Sequence, residues 1–432
     1  MPSILKNRDF MRLWFGNTVA YVGLRGASFA YPILALVMTG SPISVSLVSF
    51  ALLLPSMLFE VPSGIVADHW DRRRTLVRCQ CMGLAATLLA AIATVAHPFG
   101  MTLLLCIASF IEGTAYVFFS TTELVVVRDI VTESERPEAF SFLEAEQPFA
   151  NMVGRMLGSA TFGIARSLPF LANAAAYLYC LWTLAKLRTR IPEKSEPNGR
   201  KLVQIWSWSE TTAGIRELWG DPFVRGATVV LAVTNAIFQV VVLILTLKVK
   251  DGGHSVWTIG VVLGSTGLGG MLGAAVAPRI ADRHGPRIVL ICVGWAWVAC
   301  GVAVAASSNV MVLWFGFAGV GCAAAILGVS LTLHRVRAFP EDHVGRIWGA
   351  TKFIAYGCSA IGALVAGPLV EWLGIRATGW VLVVGLVLVV RYARGLPKPR
   401  RSAPAPAPVP SQGATNWIAQ VSSKGPVDPD DR

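Results

Sequence analysis

Charged residues are scarce in this chain. Its 432 residues include 37 Lys or Arg and 25 Asp or Glu, so only 14% are charged, whereas 54% are hydrophobic. A soluble domain carries about 25% charged residues, and the number present here is too small to cover a water-exposed surface. The deficit excludes a soluble enzyme, a disordered chain and a protein that binds nucleic acid through a broad basic surface.

Patterns that would indicate a disulfide framework or a metal centre are also missing. All eight cysteines lie in or beside apolar runs, which favours small buried side chains over disulfides. No two of the six histidines have metal-ligand spacing on one helix. We therefore predict no metal, no cofactor and no enzymatic activity. The N-terminus leads into an apolar run without a small-residue cleavage site, so no cleavable signal peptide is predicted.

Long apolar runs dominate the sequence. A helix needs about 20 mostly apolar residues to cross a bilayer, and twelve segments meet this requirement. They lie at 12–37, 43–63, 75–96, 100–127, 139–163, 168–187, 223–247, 256–280, 287–306, 309–333, 346–370 and 372–393. The sequence thus predicts an all-α polytopic membrane protein with twelve transmembrane helices in two groups of six.

Polar segments divide the chain into four predicted regions. These are an N-terminal six-helix half at 1–187, a central loop at 188–222, a C-terminal six-helix half at 223–394 and a proline-rich, disordered tail at 395–432. The central loop is predicted to contain a surface helix at 209–219.

The positions of the basic residues predict the orientation. If the N-terminus is cytoplasmic, the outer connections contain few basic residues, namely Arg166, Lys248, Lys250 and Arg376. Most of the 37 basic residues then lie on the cytoplasmic side, as the positive-inside rule requires. We predict a multi-pass protein of the cell membrane whose termini and central loop are cytoplasmic.

A short charged motif occurs at the same place in each half. The first copy begins at Gly64 after the second segment and reads GIVADHWDRRR, and the second begins at Pro278 after the eighth segment and reads PRIADRHGPR. Repeated six-helix halves are typical of one class of secondary transporter, in which the substrate site lies between the halves near mid-membrane.

The first copy resembles the signature of the major facilitator superfamily, in which Asp is followed by a basic residue, one variable residue, Gly and two basic residues. His69 and Asp71 depart from it. Residues 12–17 (RLWFGN) and 168–173 (LPFLAN) are similar to the branch of that superfamily that exports drugs and siderophores. The resemblance covers about residues 8–395 and implies the twelve-helix major facilitator fold.

The resemblance also implies a gate. Asp68 would lie against the start of the eleventh helix near 345–348, where the positive end of the helix dipole stabilises an anion by about 0.3–1 kcal/mol. Arg72 and Arg73 would fasten the same contact. The predicted gating residues are Gly64, Asp68, Arg72, Arg73, Asp282, Arg283 and Arg287. The alternative is a plain cytoplasmic loop without gating, and the recurring Asp favours the gate.

Polar side chains recur at helical spacing inside several spans. An ionisable group in a membrane is costly and usually faces a cavity or a partner. The predicted substrate-binding or proton-coupling residues are Arg25, Glu112, Glu144, Gln147, Asn151, Arg155, Asn235, Gln239, Lys352 and Tyr356. Glu146 lies on roughly the opposite side of the fifth span from Glu144 and is predicted to be a solvated rim residue.

Arg25 and Glu112 each lie near the middle of a span, so each requires a partner. We predict that Arg25 forms a buried network with Glu112 or Glu144 and that one carboxylate exchanges protons. Burial disfavours a charged carboxylate whereas a nearby cation favours it, so a substrate that displaces the cation would shift the balance. The alternative is a static ion pair that bridges helices.

Two departures weaken the similarity to drug/proton antiporters. Ser109 and Glu112 stand where many members have Arg and Gln, and the glycines of the fifth span lack the accompanying proline. We nevertheless predict a monomeric secondary transporter in the lipid bilayer that exports a small amphipathic organic compound, such as a drug, antibiotic or siderophore-like molecule, in exchange for protons. No nucleic acid is involved. The alternatives are a small-solute importer, or a non-transporting sensor or assembly partner on the same fold.

Overall fold

The structure is a computed structural model that describes residues 3–96, 100–186, 215–339 and 341–397, and the regular structure in these ranges is helical. A 3-10 turn at Ser3–Lys6 precedes ten long helices. They are α1 Arg8–Thr39, α2 Pro42–His69, α3 Arg72–Ala96, α4 Met101–Ile130, α5 Arg136–Ile164, α6 Leu168–Ala185, α7 Pro222–Asp251, α8 Val256–Ala306, α9 Val310–Ala338 and α10 Glu341–Gly395. Of the surface helix predicted at 209–219, residues 215–219 are helical and the remainder lies outside the described ranges.

Two of these helices each contain two spans. The chain reverses direction at Gly285 (φ 68°) in α8 and at Gly374 (φ 78°) in α10. A positive φ is strained for side chains with a Cβ but not for glycine, so one residue suffices for each break. Division at these glycines gives twelve helices, which confirms the predicted fold class. Within the described ranges, nine of the ten helices are long and apolar enough to cross a membrane, and α5 is too polar to qualify.

Consecutive helices run antiparallel, so the same helix ends gather on two sides of the bundle. One side, here named the basic end, holds the start of α1, the end of α10 and the charged residues around Arg72 and Arg287. The other side, named the opposite end, holds the α1–α2 connection at Gly40 and the reversal at Gly374.

The two groups of six helices contact each other through α2 with α10 and α5 with α8. Near the opposite end these helices almost touch. A Cβ on Gly260 would collide with Ser159 of α5, and one on Gly367 would lie 2.7 Å from Ser46 Oγ of α2. Nearer the basic end, no described atom lies within 4 Å of a Cβ placed on Gly64 of α2. At these glycines, the two groups therefore approach each other most closely toward the opposite end.

Candidate functional site

Tyr356 of α10 identifies a cleft inside the bundle. Its near neighbours include Tyr116 of α4, Glu60 of α2 and Arg25 of α1. A side chain surrounded by helices of both groups would be buried if those helices packed tightly, yet Tyr356 is 41% exposed. Tyr356 therefore lines an open space between the two groups, which we name the central cleft.

Arg25 of α1 is half-buried at this cleft and binds neutral partners. Its Nη2 donates hydrogen bonds to Tyr116 Oη (3.1 Å) and to Gln147 Oε1 of α5 (2.9 Å). The guanidinium also lies 5.0 Å from the centroid of the Tyr116 ring, within cation–π range. Its buried Nε has no described acceptor. These contacts fix the side chain without neutralising its charge.

Arg155 of α5 joins the two groups of helices. Its Nη1 donates to the backbone oxygen of Leu263 (3.3 Å) and to Thr266 Oγ1 (3.4 Å), both on α8. It lies close enough to Arg25 for the two cations to repel each other. The glycines of the fifth span explain this proximity, because a Cβ on Gly154 would lie 2.7 Å from Arg25 Cβ. Close packing of α1 and α5 thus brings together the backbones that carry the two arginines.

A third cation crosses the cleft as an ion pair. Lys352 Nζ of α10 lies 3.2 Å from Glu60 Oε1 of α2, and the lysine side chain is 43% exposed. Lys352 is among the site residues predicted from the sequence, whereas Glu60 is not. The signal was present, since Glu60 is an acid within an otherwise apolar segment.

Glu112 of α4 lies outside this group. Its carboxylate is fully buried and accepts hydrogen bonds from Tyr31 Oη (2.6 Å), Asn173 Nδ2 (2.5 Å) and Tyr177 Oη (3.1 Å). The predicted network between Arg25 and Glu112 is therefore wrong in this structure. Three neutral donors from α1 and α6 take the place of the expected cation.

A second buried acid lies further along α4. Glu123 accepts hydrogen bonds of 2.5 Å from both Asn17 Nδ2 and Tyr21 Oη of α1. Glu146 of α5 is its acidic neighbour and also lies beside Thr18. Glu146 is 2% exposed, and one of its oxygens has no described partner. Two carboxylates therefore share one buried region between α1, α4 and α5.

The structure reverses the predicted roles of Glu144 and Glu146, because Glu146 is buried and Glu144 is exposed. The cause is the face that α5 turns toward α1. Phe142 packs against Trp14 of α1, and Gly154 contacts the α1 backbone. Glu146 lies between these two contacts on the same face, so it is enclosed, and Glu144 is not part of the Arg25 network.

The remaining predicted polar residues, Asn151, Asn235 and Gln239, lie on α5 and α7. Gln239 Nε2 of α7 donates to Ser359 Oγ of α10 (2.7 Å), which links two helices of the second group. Asn151 of α5 and Asn235 of α7 are half-buried. The structure thus brings Arg25, Gln147, Arg155, Lys352 and Tyr356 to the cleft and leaves Glu112 behind it.

The arginines of the first charged motif bind within the first six helices. Arg72 forms an ion pair with Asp129 of α4 and donates through Nε to the oxygen of Ala67 (3.2 Å). Arg73 Nη2 donates to the oxygens of Leu184 and Ala185 at the end of α6 (3.2 Å each). The described partners of both arginines thus lie within the first six helices, and their contact with the eleventh helix stays a prediction.

The second motif makes a matching contact. Arg287 Nη2 donates to the oxygen of Arg394 (2.7 Å) at the end of α10. In each group, an arginine of the motif (Arg73 or Arg287) thus binds a carbonyl at the end of the last helix, where a cation is favoured. Asp68, Asp282 and Arg283 are exposed at the same end. The side chains of 341–346 lie outside the described set, so the contact of Asp68 with the eleventh helix stays a prediction.

The carboxylate partners were the main omission of the sequence analysis. Asn173, Tyr177 and Cys180 of α6 are spaced by four and three residues, so they share a helix face, and each is buried. Cys180 Sγ lies 3.6 Å from Asn17 Oδ1, which extends this face to the Glu123 region. A polar face on a buried helix could have indicated a partner for the acids of α4.

Comparison with known proteins agrees with this architecture. The family model of the Major Facilitator Superfamily matches residues 13–363 and 279–425. The multidrug efflux pump Tap of Mycolicibacterium fortuitum is 24% identical, over 91% of this chain and 97% of its own. The MFS-type transporter YfiS of Bacillus subtilis is 22% identical, over 81% and 83%.

Solved structures show the same fold. The nucleoside transporter NupG superimposes with a TM-score of 0.70 at 13% identity, covering 90% of this chain and 98% of its own. A bacterial homologue of the iron transporter ferroportin in an inward-facing state gives a TM-score of 0.68 at 13% identity, covering 89% and 98%. With the repeated motif and the cleft between two groups of six helices, these matches show that the chain belongs to the major facilitator superfamily of membrane transporters.

Proposed function

We propose that this transporter exports small amphipathic organic compounds in exchange for protons, by alternating access around the central cleft. The observation that carries the proposal is the pairing of an open cleft with buried carboxylates that no cation neutralises among the described residues. The cleft offers a place for the substrate, and the carboxylates offer a place for the proton.

Alternating access requires contacts between the halves that can open on either side. We take the halves as residues 1–187 and 223–394, joined by the loop at 188–222 and followed by the tail at 395–432. The close approaches of α2 to α10 and α5 to α8 lie toward the opposite end. We take the protein as a monomer in the cell membrane with its basic end in the cytoplasm. In that orientation the cleft would face the cytoplasm, where an exporter takes up its substrate.

Proton coupling would reside in the first six helices. An ionised carboxylate in an apolar interior is costly unless a cation or several hydrogen bonds compensate it. Glu112 and Glu123 have hydrogen bonds from neutral groups and no described cation. Proton uptake would remove the buried charge, which makes these two residues, rather than Glu144, the proposed proton carriers.

The direction and the type of substrate rest on relatives. The Tap pumps, to which this chain is similar over nearly their whole length, are named for multidrug efflux. The NupG structure, named as a nucleoside transporter, has the same fold. Because this fold is shared by transporters of different substrates, the fold by itself favours neither export nor import and no particular substrate.

Transport in everted membrane vesicles tests the proposal. With an acid interior, the wild-type protein should accumulate fluorescent amphipathic probes, and a protonophore should stop the accumulation. Glu112→Gln and Glu123→Gln should each remove the dependence on the proton gradient. Glu133→Gln is the matched control, since this carboxylate is 92% exposed in the connection before α5. Proton coupling is contradicted if accumulation persists in the presence of the protonophore. It is also contradicted if accumulation persists after both carboxylates are replaced.

A further inference from the structure

We propose that the central cleft binds organic anions, with the negative group of the substrate held between Arg25 and Arg155. The inference rests on the proposed function and narrows its substrate class to amphipathic carboxylates and similar aromatic anions.

The charges at the cleft are unbalanced. Arg25, Arg155 and Lys352 bring three cations, and Glu60 brings one anion that lies against Lys352 at 3.2 Å. Among the described residues, no carboxylate oxygen lies within 4.0 Å of a nitrogen of Arg25 or Arg155. Within the described part of the chain, the guanidinium groups of Arg25 and Arg155 therefore have no counter-ion.

The buried acids do not supply the missing charge. Glu112 is held by three donors on α1 and α6, and Glu123 by two donors on α1. Neither makes a contact with Arg25 or Arg155 among the described hydrogen bonds. Among the described contacts, no buried carboxylate pairs with either arginine, and the proposed substrate anion would take that place.

Both arginines have donors to spare. A guanidinium has five N–H groups, and Arg25 uses Nη2 for its two hydrogen bonds while its buried Nε has no described acceptor. Arg155 uses Nη1 for its contacts with α8. A planar carboxylate can accept two parallel hydrogen bonds from such a fork, and it would also relieve the repulsion between the two cations.

The same region has aromatic surfaces for the rest of the substrate. Tyr116 already lies against Arg25, and Tyr356 is exposed to the cleft from the other group of helices. An aryl ring that carries an acidic group can pack between such rings. A cation of the same shape would instead meet two uncompensated arginines.

Binding to the purified full-length protein in lipid nanodiscs tests this inference without any proton gradient. The probes are 2-naphthoate and 2-naphthylmethylammonium, which share a ring system and differ in the sign of their charge. We expect the wild-type protein to bind the anion at least about tenfold more tightly, since one charge-assisted hydrogen bond corresponds to roughly a tenfold change or more. Equal binding, or a preference for the cation, overturns the inference.

Variants then assign the preference to the two arginines. Arg25→Gln and Arg155→Gln should each weaken 2-naphthoate binding by about tenfold or more, whereas Arg25→Lys should retain part of the affinity because it keeps the charge. Arg166→Gln is the control, since this arginine is exposed at the opposite end beside Met38. Unchanged binding in both Gln variants overturns the inference. If a variant does not fold, the comparison of 2-naphthoate with 2-naphthylmethylammonium on the wild-type protein still tests it.

The outcome is separable from that of the proposed function. If 2-naphthoate binds in an Arg25-dependent way but no probe moves in energised vesicles, anion binding holds and the export proposal fails. If cationic probes are exported and 2-naphthoate does not bind, export holds and the anion inference fails.

Discussion

The first six helices and the last six share a fold but differ in what they bury. The first group encloses the carboxylates Glu112, Glu123 and Glu146. Among the described side chains of residues 222–397, no carboxylate is buried, and the one buried ionisable side chain is Arg335 near the end of α9. The repeat thus preserves helix order and terminal arginine contacts, but not the interior chemistry.

Close helix contacts replace polar ones in the second group. A Cβ on Gly269, Gly273 or Gly321 would collide with the backbone across the α8–α9 interface. Small residues allow this approach, and van der Waals contact holds transmembrane helices together where no water is present. The proposed proton carriers thus lie in the first group, whereas the second group joins α8 and α9 through close backbone contacts.

The largest expected effect on stability comes from Glu112→Leu. This change leaves Tyr31, Asn173 and Tyr177 without their common acceptor, and buried donors that lose a partner are costly. We expect the free energy of unfolding to fall by about 3 kcal/mol, measured by denaturant unfolding in lipid–detergent micelles.

Two further variants sharpen this result. Glu112→Gln keeps an acceptor oxygen, so its free energy of unfolding should fall less than that of Glu112→Leu. Gln239→Leu in the second group leaves one hydroxyl, that of Ser359, without its donor, so about 1 kcal/mol is expected. Equal losses for Glu112→Leu and Gln239→Leu would contradict the difference between the two groups.

An intermediate effect is expected at the glycine contacts of the second group. In Gly273→Ala the new Cβ would lie 2.9 Å from the Cα of Cys322, and a backbone atom cannot move aside as a side chain can. Forced separation of α8 and α9 should lower the free energy of unfolding by about 2 kcal/mol, measured as for Glu112→Leu.

The matched control is Gly316→Ala on α9, where no described atom lies within 4 Å of the added Cβ. Its stability should stay the same or increase slightly, because alanine favours helix more than glycine does. A loss at Gly316 as large as that at Gly273 would show that the effect is not due to the interface.

The sequence was sufficient for the helices because each span needs its own apolar run, and that requirement is local. The break between the eighth and ninth spans shows the limit. The six residues at 281–286, which separate the two predicted spans, predict a loop, but the chain continues as helix on both sides and turns at Gly285 alone. A positive φ at one residue depends on how the adjoining helices pack.

The partners in the site could be predicted only in part, because they depend on helix rotation. Glu144 and Glu146 are two residues apart, which corresponds to about 200° around a helix. Choosing between them requires the α1–α5 contact at Gly154 and Gly158, which joins residues more than 100 positions apart. Arg25, Arg155 and Lys352 were identified because cations inside a span are rare, but their neutral partners give no such signal.

The smallest effect is expected for the ion pair between the two groups, Glu60–Lys352. Lys352 is partly exposed, and pairs of this kind contribute about 1 kcal/mol or less. A double-mutant cycle with Glu60→Gln and Lys352→Gln, measured by unfolding, should therefore give a small coupling energy.

The Arg72–Asp129 pair, which lies within the first group and is less exposed, should couple more strongly in the equivalent cycle with Arg72→Gln and Asp129→Asn. Alternating access predicts this order, because contacts between the halves must break in every transport cycle whereas contacts within a half persist. A stronger coupling for Glu60–Lys352 would indicate two halves fixed to each other, which a transporter of this fold could not use.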